Sequence, residues 1–176
     1  MIDLKNHIMM VPDYPQAGIY FRDITPLLAH PSAFKQACRQ LAEQVQQTGA
    51  EAVFGIESRG FLFAAPVAIQ LGLPLILVRK HGKLPRATHK ASYELEYGMD
   101  HLEVHRDDVQ PGQRCVVIDD VLATGGTASA VVKLLELAGA HVAGAVFLIE
   151  LLGLDGAAAL APHAVHSLLQ YEPSES

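Results

Sequence analysis

The chain carries the stretch RCVVIDDVLATGGT between positions 114 and 127. Its first five residues, 114–118, predict a buried strand because they are mostly apolar and β-branched. Two acids, Asp119 and Asp120, follow the predicted strand, and a loop at 123–127 leads into a predicted helix, 127–137. A strand, a loop and a helix in this order predict an α/β fold.

The loop at 123–127, which we call the phosphate loop, predicts an anion site. Its residues are Ala123, Thr124, Gly125, Gly126 and Thr127. Successive backbone N–H groups just before a helix bind phosphate through hydrogen bonds and the helix dipole. The spacing matches neither a Walker loop nor a dinucleotide-binding fingerprint.

Asp119 and Asp120 would repel a phosphate that they faced. We therefore expect them to contact hydroxyl groups or a hydrated Mg²⁺, so that a ribose 5-phosphate would suit both halves of the stretch. The alternative is an ordinary strand-to-helix turn in which the acids act as caps.

The rest of the chain repeats the alternation of strands and helices. Short apolar runs predict further strands at 52–56, 75–78, 142–149 and 165–169. Helical spacing after Ser32, the predicted N-cap, indicates a helix that ends at Gly49. A second helix is predicted at 61–71, with Pro66 delaying its regular part. Alternating patterns at 92–97 and 102–105 predict antiparallel strands outside the main sheet.

These elements predict one domain, 1–176, with a doubly wound, mostly parallel α/β sheet. In such sheets ligands bind beyond the carboxyl ends of the strands. The loops at Glu57, Arg79, Asp119 and Glu150 leave such ends, so we expect them to converge on one site.

Composition excludes several classes of protein. The chain has 176 residues, of which 50% are hydrophobic and 18% charged, which favours an ordered domain. A net charge of −6 argues against nucleic acid as a partner, and no apolar run approaches the roughly 20 residues that span a membrane. Cys38 and Cys115 suggest no disulfide framework, so we expect a cytoplasmic protein. The nine histidines show no metal-ligand spacing.

The stretch at 116–127 resembles the phosphoribosyl pyrophosphate signature of type I phosphoribosyltransferases. Further stretches are similar to the adenine phosphoribosyltransferases in particular, and the similarity runs from about Asp13 to Tyr171. Ala17 and His81 depart from the usual pattern of the family. The stretches that carry this likeness are 13–15, 18–28, 57–61, 79–85 and 93–98.

The resemblance implies that the phosphate loop binds the 5-phosphate and that Asp119 and Asp120 bind the ribose hydroxyls. It implies that pyrophosphate is bound by Ser58, Arg59, Arg79, Lys80 and Lys83, with a cis peptide bond before Ser58. Mg²⁺ would be held mainly by substrate and water, with no direct protein ligand, and a neighbouring subunit would complete the site in a homodimer. The residues alone leave two alternatives open: a solvated loop for 79–83 and a surface position for Arg59.

The resemblance also implies which residues bind the base and which residue exchanges a proton with it. The N-terminal segment 1–30, which we call the hood, would bind adenine through Tyr20, Phe21 and Arg22, with Leu151 closing the far face. Segment 83–97 would form a mobile lid, in which Glu96 exchanges a proton with the purine and Tyr97 helps to exclude water; with Arg59, these form the expected catalytic set. Phe21 could instead be a core residue, and Glu96 a solvent-facing acid.

The expected reaction is adenine and 5-phosphoribosyl 1-pyrophosphate to AMP and pyrophosphate, a step of purine salvage. One alternative is an enzyme for xanthine or another base, since the ribose-phosphate site would be shared. Another is a regulatory module of this fold that senses purines and binds nucleic acid, which the acidic balance disfavours.

Overall fold

The computed structural model describes residues 1–94 and 99–173, and its centre is a seven-stranded sheet. A separate two-stranded ribbon comes first, formed by β1 (Met9–Val11) and β2 (Phe21–Asp23). The strands of the main sheet are β3 (Ala52–Ile56), β4 (Leu75–Lys80), β5 (Thr88–Glu94), β6 (Met99–His105), β7 (Arg114–Leu122), β8 (His141–Leu151) and β9 (Val165–Tyr171). The helices are α1 (Thr25–Ala29), α2 (Pro31–Thr48), α3 (Gly60–Leu71), α4 (Gly126–Leu137) and α5 (Gly156–Ala159).

The strand order is β5-β6-β4-β3-β7-β8-β9. Strands β4, β3, β7, β8 and β9 pair in parallel, whereas β6 is antiparallel to both β4 and β5. The predicted mostly parallel α/β sheet is therefore confirmed.

Neighbouring residues of the central strands point to opposite faces of the sheet. Phe54, Val117 and Phe147 belong to the core that α4 covers, and the residue before each of them belongs to the core beneath α2 and α3. Burial on both faces explains why these strands read as continuous apolar runs, and it makes the sheet doubly wound.

The hairpin of β5 and β6 was expected outside the main sheet, and that prediction is wrong. Strand β4 continues two residues beyond its predicted end at Val78, so Arg79 pairs with Glu103 and Lys80 pairs with Leu102. These pairs join β6 to β4 and make the hairpin one edge of the sheet.

Strand β7 is also longer than predicted, since it ends at Leu122 rather than at Ile118. Its pairing with β8 continues past the predicted end, with Asp119 opposite Phe147 and Leu122 opposite Glu150. Asp119 and Asp120 therefore lie on the strand itself, where the sheet fixes their direction.

Two predicted helix starts are corrected. Helix α2 is capped by His30, whose Nδ1 accepts a hydrogen bond from Ala33 N–H at 3.2 Å, and not by Ser32. Pro31 suits the first helical position because its missing N–H would have had no partner there. Helix α3 begins at Gly60, six residues before Pro66. Pro66 removes one backbone hydrogen bond, but it does not prevent the first turn from forming.

The predicted ends of both helices are confirmed. Gly49 and Gly72 adopt the left-handed conformation at the C-termini of α2 and α3. Within residues 1–94 and 99–173, we find no helix with the length and apolar character needed to cross a membrane.

Candidate active site

A cleft of about 750 Å³ opens at the carboxyl ends of the central strands. Glu57 follows β3, Lys80 ends β4, Asp119 and Asp120 lie near the end of β7, and Leu151 ends β8. The four predicted strand ends therefore converge on one cleft, although only Glu57 and Asp119 of the four residues named from the sequence line it, and Arg79 and Glu150 do not. The cleft is lined by Ile19, Tyr20, Phe21, Arg22, Glu57, Ser58, Arg59, Lys80, Leu102, Asp119, Asp120, Val121, Ala123, Thr124, Thr127, Leu151 and Leu154.

The phosphate loop forms a smaller recess of about 100 Å³ at the start of α4. Gly125 adopts φ = 80°, a left-handed conformation that favours glycine, and its carbonyl accepts the hydrogen bond of Ser129 N–H at 2.8 Å. The N–H groups of the first helical turn, 126–128, have no earlier carbonyl within the helix. They line the recess and can bind an anion there.

Two close backbone contacts support the phosphate loop from behind. A β-carbon on Gly125 would lie 2.6 Å from the carbonyl oxygen of Gly156, and a β-carbon on Gly156 would overlap the carbonyl oxygen of Ala123. Only glycine fits at these points. Gly156 was not among the predicted site residues, because nothing in its local sequence shows that the first turn of α5 lies against the phosphate loop.

Asp119 is a partly buried acid beside a second acid, Asp120, which is buried. Its Oδ1 accepts a hydrogen bond from Asp120 N–H at 2.8 Å. Burial, and then the negative charge of Asp120, raise the pKa of Asp119 well above its ordinary value. The start of α3 approaches the same group, since a β-carbon on Gly60 would lie 2.8 Å from Asp119 Oδ1. Asp119 is thus held in place by backbone on two sides.

Arg59 connects the acids to the hood. Its Nε lies 2.6 Å from Asp120 Oδ2, and its guanidinium lies 5.0 Å from the centre of the Phe21 ring. The peptide bond between Glu57 and Ser58 is cis, as the resemblance implies. Arg59 lines the cleft, which argues against the alternative that it is an ordinary surface residue.

The residues 79–83, which we call the cationic turn, are held by Glu57. Arg79 donates to the two carboxylate oxygens of Glu57 at 3.1 and 3.3 Å, and Lys80 N–H donates to Oε2 at 2.9 Å. Partial burial acts to raise the pKa of Glu57, but these hydrogen bonds and the nearby charges of Arg79 and Lys83 outweigh it, so the pKa is lowered. Of the three predicted cations, Lys80 lines the cleft, whereas Arg79 and Lys83 do not.

The hood supplies an aromatic and mostly apolar wall. Phe21 is half-buried and packs edge-on against Tyr14 with ring centres 5.2 Å apart, so it is not a plain core residue. Arg22 is buried, and its guanidinium lies 4.0 Å from the centre of the Tyr171 ring at the end of β9. The structure brings Tyr20, Phe21, Arg22 and Leu151 to one end of the cleft, where a planar ring could be enclosed.

Glu96 and Tyr97, the predicted proton carrier and lid residue, lie outside the described residues. Within 1–94 and 99–173, no group of three or more His, Cys, Asp or Glu side chains could hold a metal ion.

Comparisons with known proteins agree with this geometry. The model of the phosphoribosyl transferase domain family matches residues 25–164. The adenine phosphoribosyltransferase of Carboxydothermus hydrogenoformans is 52% identical over 170 residues, which cover 97% of this chain and 100% of that protein.

Two solved structures share the fold along almost the whole chain. Adenine phosphoribosyltransferase from Thermoanaerobacter pseudethanolicus superposes with a TM-score of 0.92 at 45% identity, covering 96% of this chain and 98% of the other. The Saccharomyces cerevisiae enzyme, solved with an imino-altritol bisphosphate and adenine, gives a TM-score of 0.85 at 33% identity, covering 94% and 95%. The chain therefore belongs to the adenine phosphoribosyltransferase family.

Proposed function

We propose that this chain transfers the 5-phosphoribosyl group of phosphoribosyl pyrophosphate to adenine, yielding AMP and pyrophosphate in purine salvage. The observation that carries the proposal is the single cleft in which a phosphate recess, two adjacent acids and an aromatic hood meet. Each of these parts suits one part of the substrates.

The phosphate loop would bind the 5-phosphate through Ala123, Thr124, Gly125, Gly126 and Thr127. Backbone N–H groups at the start of α4 and the two threonine hydroxyls can donate to its oxygens. Asp119 lines this recess, and Asp119 and Asp120 both line the larger cleft, where they can accept hydrogen bonds from the 2′- and 3′-hydroxyls of the ribose. The negative charge of each acid is less unfavourable near the phosphate when the carboxylate faces a hydroxyl group and not the phosphate itself.

Pyrophosphate would lie between the loop after β3 and the cationic turn. Ser58, Arg59 and Lys80 line the cleft there, and Arg79 and Lys83, which do not line it, would add positive charge from the same turn. Arg59 is engaged by Asp120 in the structure, so a bound sugar would compete for that acid and direct the guanidinium toward its phosphates.

Mg²⁺ fits this donor set as a hydrated ion. Asp119 and Asp120 would hold its water ligands, and substrate oxygens would bind it directly, since Mg²⁺ prefers oxygen ligands and keeps several waters. When bound, the ion would neutralise charge on the departing pyrophosphate.

Adenine would bind at the hood end. Phe21 would stack on the ring, Leu151 would close the far face, and backbone groups of Tyr20 and Arg22 would recognise the N6 and N1 edge. A stack of this kind contributes about 0.5–1.5 kcal/mol beyond the burial of area. Hypoxanthine would leave buried polar groups unpaired, at about 1–3 kcal/mol each, which is how the site would discriminate.

The reaction breaks the bond between C1′ and the pyrophosphate oxygen and forms a bond from C1′ to N9 of adenine. The electron pair leaves with pyrophosphate, and the transition state has oxocarbenium character. As N9 bonds to C1′, the purine must lose one proton, which Glu96 would accept from N7 of the base. The lid, 83–97, with Tyr97, would exclude water, which could otherwise attack C1′.

A homodimer is part of the proposal. Helix α3 is apolar on nearly every side, and Leu62 and Ile69 are 42% and 83% exposed, while Leu77 on neighbouring β4 is 37% exposed. A helix that is apolar all round normally has a buried outer face. A second subunit on this face would cover it, next to the strand that leads into the cationic turn.

We also propose a cytoplasmic location for this protein. Cys38 and Cys115 are buried free thiols, and burial raises their pKa to about 11 and about 12. Such thiols suit a reducing cytoplasm. We assign no nucleic acid and no membrane as a partner, in line with the net charge of −6.

The test is to incubate the protein with phosphoribosyl pyrophosphate, Mg²⁺ and adenine, hypoxanthine, guanine or xanthine in separate reactions. We expect AMP and pyrophosphate in equal amounts, and far slower reactions with the other bases. Turnover of xanthine but not of adenine would overturn the assignment of the base. Purine binding without any turnover would favour a sensing module instead.

A further inference from the structure

A buried carboxylate that the proposed mechanism does not use lies beside the cationic turn. Glu103 is on β6, and its side chain is only 3% exposed. It accepts hydrogen bonds from His81 Nδ1 at 2.6 Å, Lys90 Nζ at 2.9 Å and Gly82 N–H at 3.1 Å. A buried carboxylate is costly unless it is paired and hydrogen-bonded, and these three donors satisfy both needs.

The groups around the carboxylate favour its ionised form. Burial acts to raise the pKa of Glu103, but the hydrogen bonds from Lys90, His81 and Gly82 outweigh it and lower the pKa to about 2. A negative charge therefore lies behind the positively charged turn, on the sheet side.

The cationic turn is fixed on both of its sides. Gly82 has φ = 75°, and Lys83 N–H donates to the Lys80 carbonyl at 3.3 Å, which closes the turn. His81 N–H donates to the His101 carbonyl on β6 at 3.0 Å. Glu103 thus holds the middle of a turn whose residue Lys80 lines the cleft.

The same carboxylate reaches the hairpin. Lys90 is on β5, inside the segment predicted to form the lid, and it is paired in register with Glu103. Arg79, the first residue of the cationic turn, is paired with Glu103 on the other side of β6. Glu103 is therefore the point at which the hairpin, β4 and the turn meet.

We propose that Glu103 is a positioning residue for the pyrophosphate half of the substrate, because it holds the cationic turn against the cleft and ties it to the hairpin. This inference rests on the proposed function. Glu103 does not line the cleft, so its effect on substrate passes through Gly82, His81 and Lys80.

The decisive variant is Glu103→Gln, which keeps size and shape but removes the charge. A neutral amide cannot accept from all three donors at once, so the turn should lose part of its restraint. We expect the KM for phosphoribosyl pyrophosphate and the dissociation constant for pyrophosphate to rise about fivefold, with the KM for adenine unchanged within twofold. Glu103→Asp, which restores the charge on a shorter side chain, should recover part of the loss.

Two further variants complete the design. Lys90→Met removes the donor on the hairpin and should raise the KM for phosphoribosyl pyrophosphate about twofold. Glu51→Gln is the matched control, because Glu51 accepts a backbone hydrogen bond from Arg114 at the opposite end of the sheet. It should leave both KM values unchanged.

The KM values of both substrates and the dissociation constant of pyrophosphate, measured by calorimetry, distinguish a positioning role of Glu103 from a role in folding alone. An equal rise in KM for both substrates, or no rise for phosphoribosyl pyrophosphate, would show that Glu103 serves folding alone and would overturn the inference. If Glu103→Gln fails to fold, Glu103→Asp and Lys90→Met decide, and unchanged pyrophosphate binding in both would reject the inference. A wild-type protein that binds pyrophosphate but transfers nothing to adenine would refute the proposed function instead.

Discussion

The two halves of the cleft are held in place by different kinds of contact. The phosphate loop is positioned by backbone packed on backbone, with Gly125 against Gly156 and Gly156 against Ala123. The cationic turn is positioned by side-chain carboxylates, Glu57 and Glu103, at the edge of the sheet. The first half is held by close backbone packing, and the second is held by hydrogen bonds and ion pairs of side chains.

This difference matches what each half is proposed to do. The 5-phosphate would remain in one place from substrate to product, so a rigid recess loses nothing. Pyrophosphate must arrive, change charge and leave, so its binding groups must be able to release it. The partners of the two carboxylates, Arg79, His81 and Lys90, are partly or largely exposed, so the contacts that they make are suited to that exchange.

The largest effect should come from the proposed lid, through Glu96→Gln. A general base contributes about 100- to 10,000-fold to rate, so we expect kcat to fall at least 100-fold while the KM for phosphoribosyl pyrophosphate changes less than threefold. Steady-state kinetics on both substrates would measure this. Glu43→Gln, an exposed acid on α2, serves as the control. A parallel loss of phosphoribosyl pyrophosphate binding would remove the proton-transfer role.

The next effect should come from the rigid half, through Gly156→Ala. The added methyl group would overlap the carbonyl of Ala123 and displace the phosphate loop. We expect the KM for phosphoribosyl pyrophosphate to rise about tenfold, and overpacking of about 1–3 kcal/mol to lower Tm by several degrees. Gly126→Ala, whose methyl group would meet nothing closer than 3.9 Å, should leave Tm unchanged. An unaltered Tm for Gly156→Ala would show that the close contact does not matter.

The stability of the protein in acid should depend on Glu103, which holds the cationic turn. Its pKa is lowered from the usual 4.5 to about 2, so its contribution to folding is complete above pH 4.5 and is lost as pH falls toward 2. Chemical unfolding should therefore show wild type about 2 kcal/mol more stable than Glu103→Gln at pH 6, with the difference shrinking toward pH 3. A difference that stays constant over this range would contradict the assignment.

The smallest effect should be a gain in stability from Asp119→Asn. The pKa of Asp119 is raised by burial and by Asp120, so its favourable contribution is complete below the usual 3.8 and is lost as pH rises through the raised value. The neutral amide avoids this loss, and we expect a gain of about 1 kcal/mol at pH 7, or about 3 °C in Tm.

The same variant should lose transfer activity, because an amide would be a weaker acceptor for the ribose hydroxyls that Asp119 is proposed to bind. Asp120→Asn should give no gain, since Asp120 is already paired with Arg59 at 2.6 Å. Equal stabilisation by both variants would indicate a general relief of negative charge, and not the particular burial of Asp119.

Most of the central sheet could be predicted from the sequence, because burial on both faces leaves unbroken apolar runs such as Ala52–Ile56. The ends of the elements were harder to predict. His30 replaced Ser32 as a cap because an imidazole nitrogen accepts the same bond, and β7 continued through two acids because β8 paired with it.

The position of the candidate site could be predicted where residue type indicates the chemistry, as in the phosphate loop and the two acids beside it. It could not be predicted where a residue acts by closeness to something distant in sequence. Gly156 lies against Ala123, and Glu103 lies against Gly82, only after the chain has folded. Neither has a local pattern that distinguishes it from an ordinary turn glycine or a strand acid.

The attachment of β6 to β4 has a consequence for how proteins of this shape can diverge. Arg79 with Glu103 and Lys80 with Leu102 are the pairs that join the hairpin to the sheet, and the hairpin lies at the outer edge. Insertions or deletions beyond those two pairs would leave the other five strands in register. The proposed lid can thus be lengthened, shortened or rewritten by mutation while the recess proposed for the sugar phosphate is inherited intact.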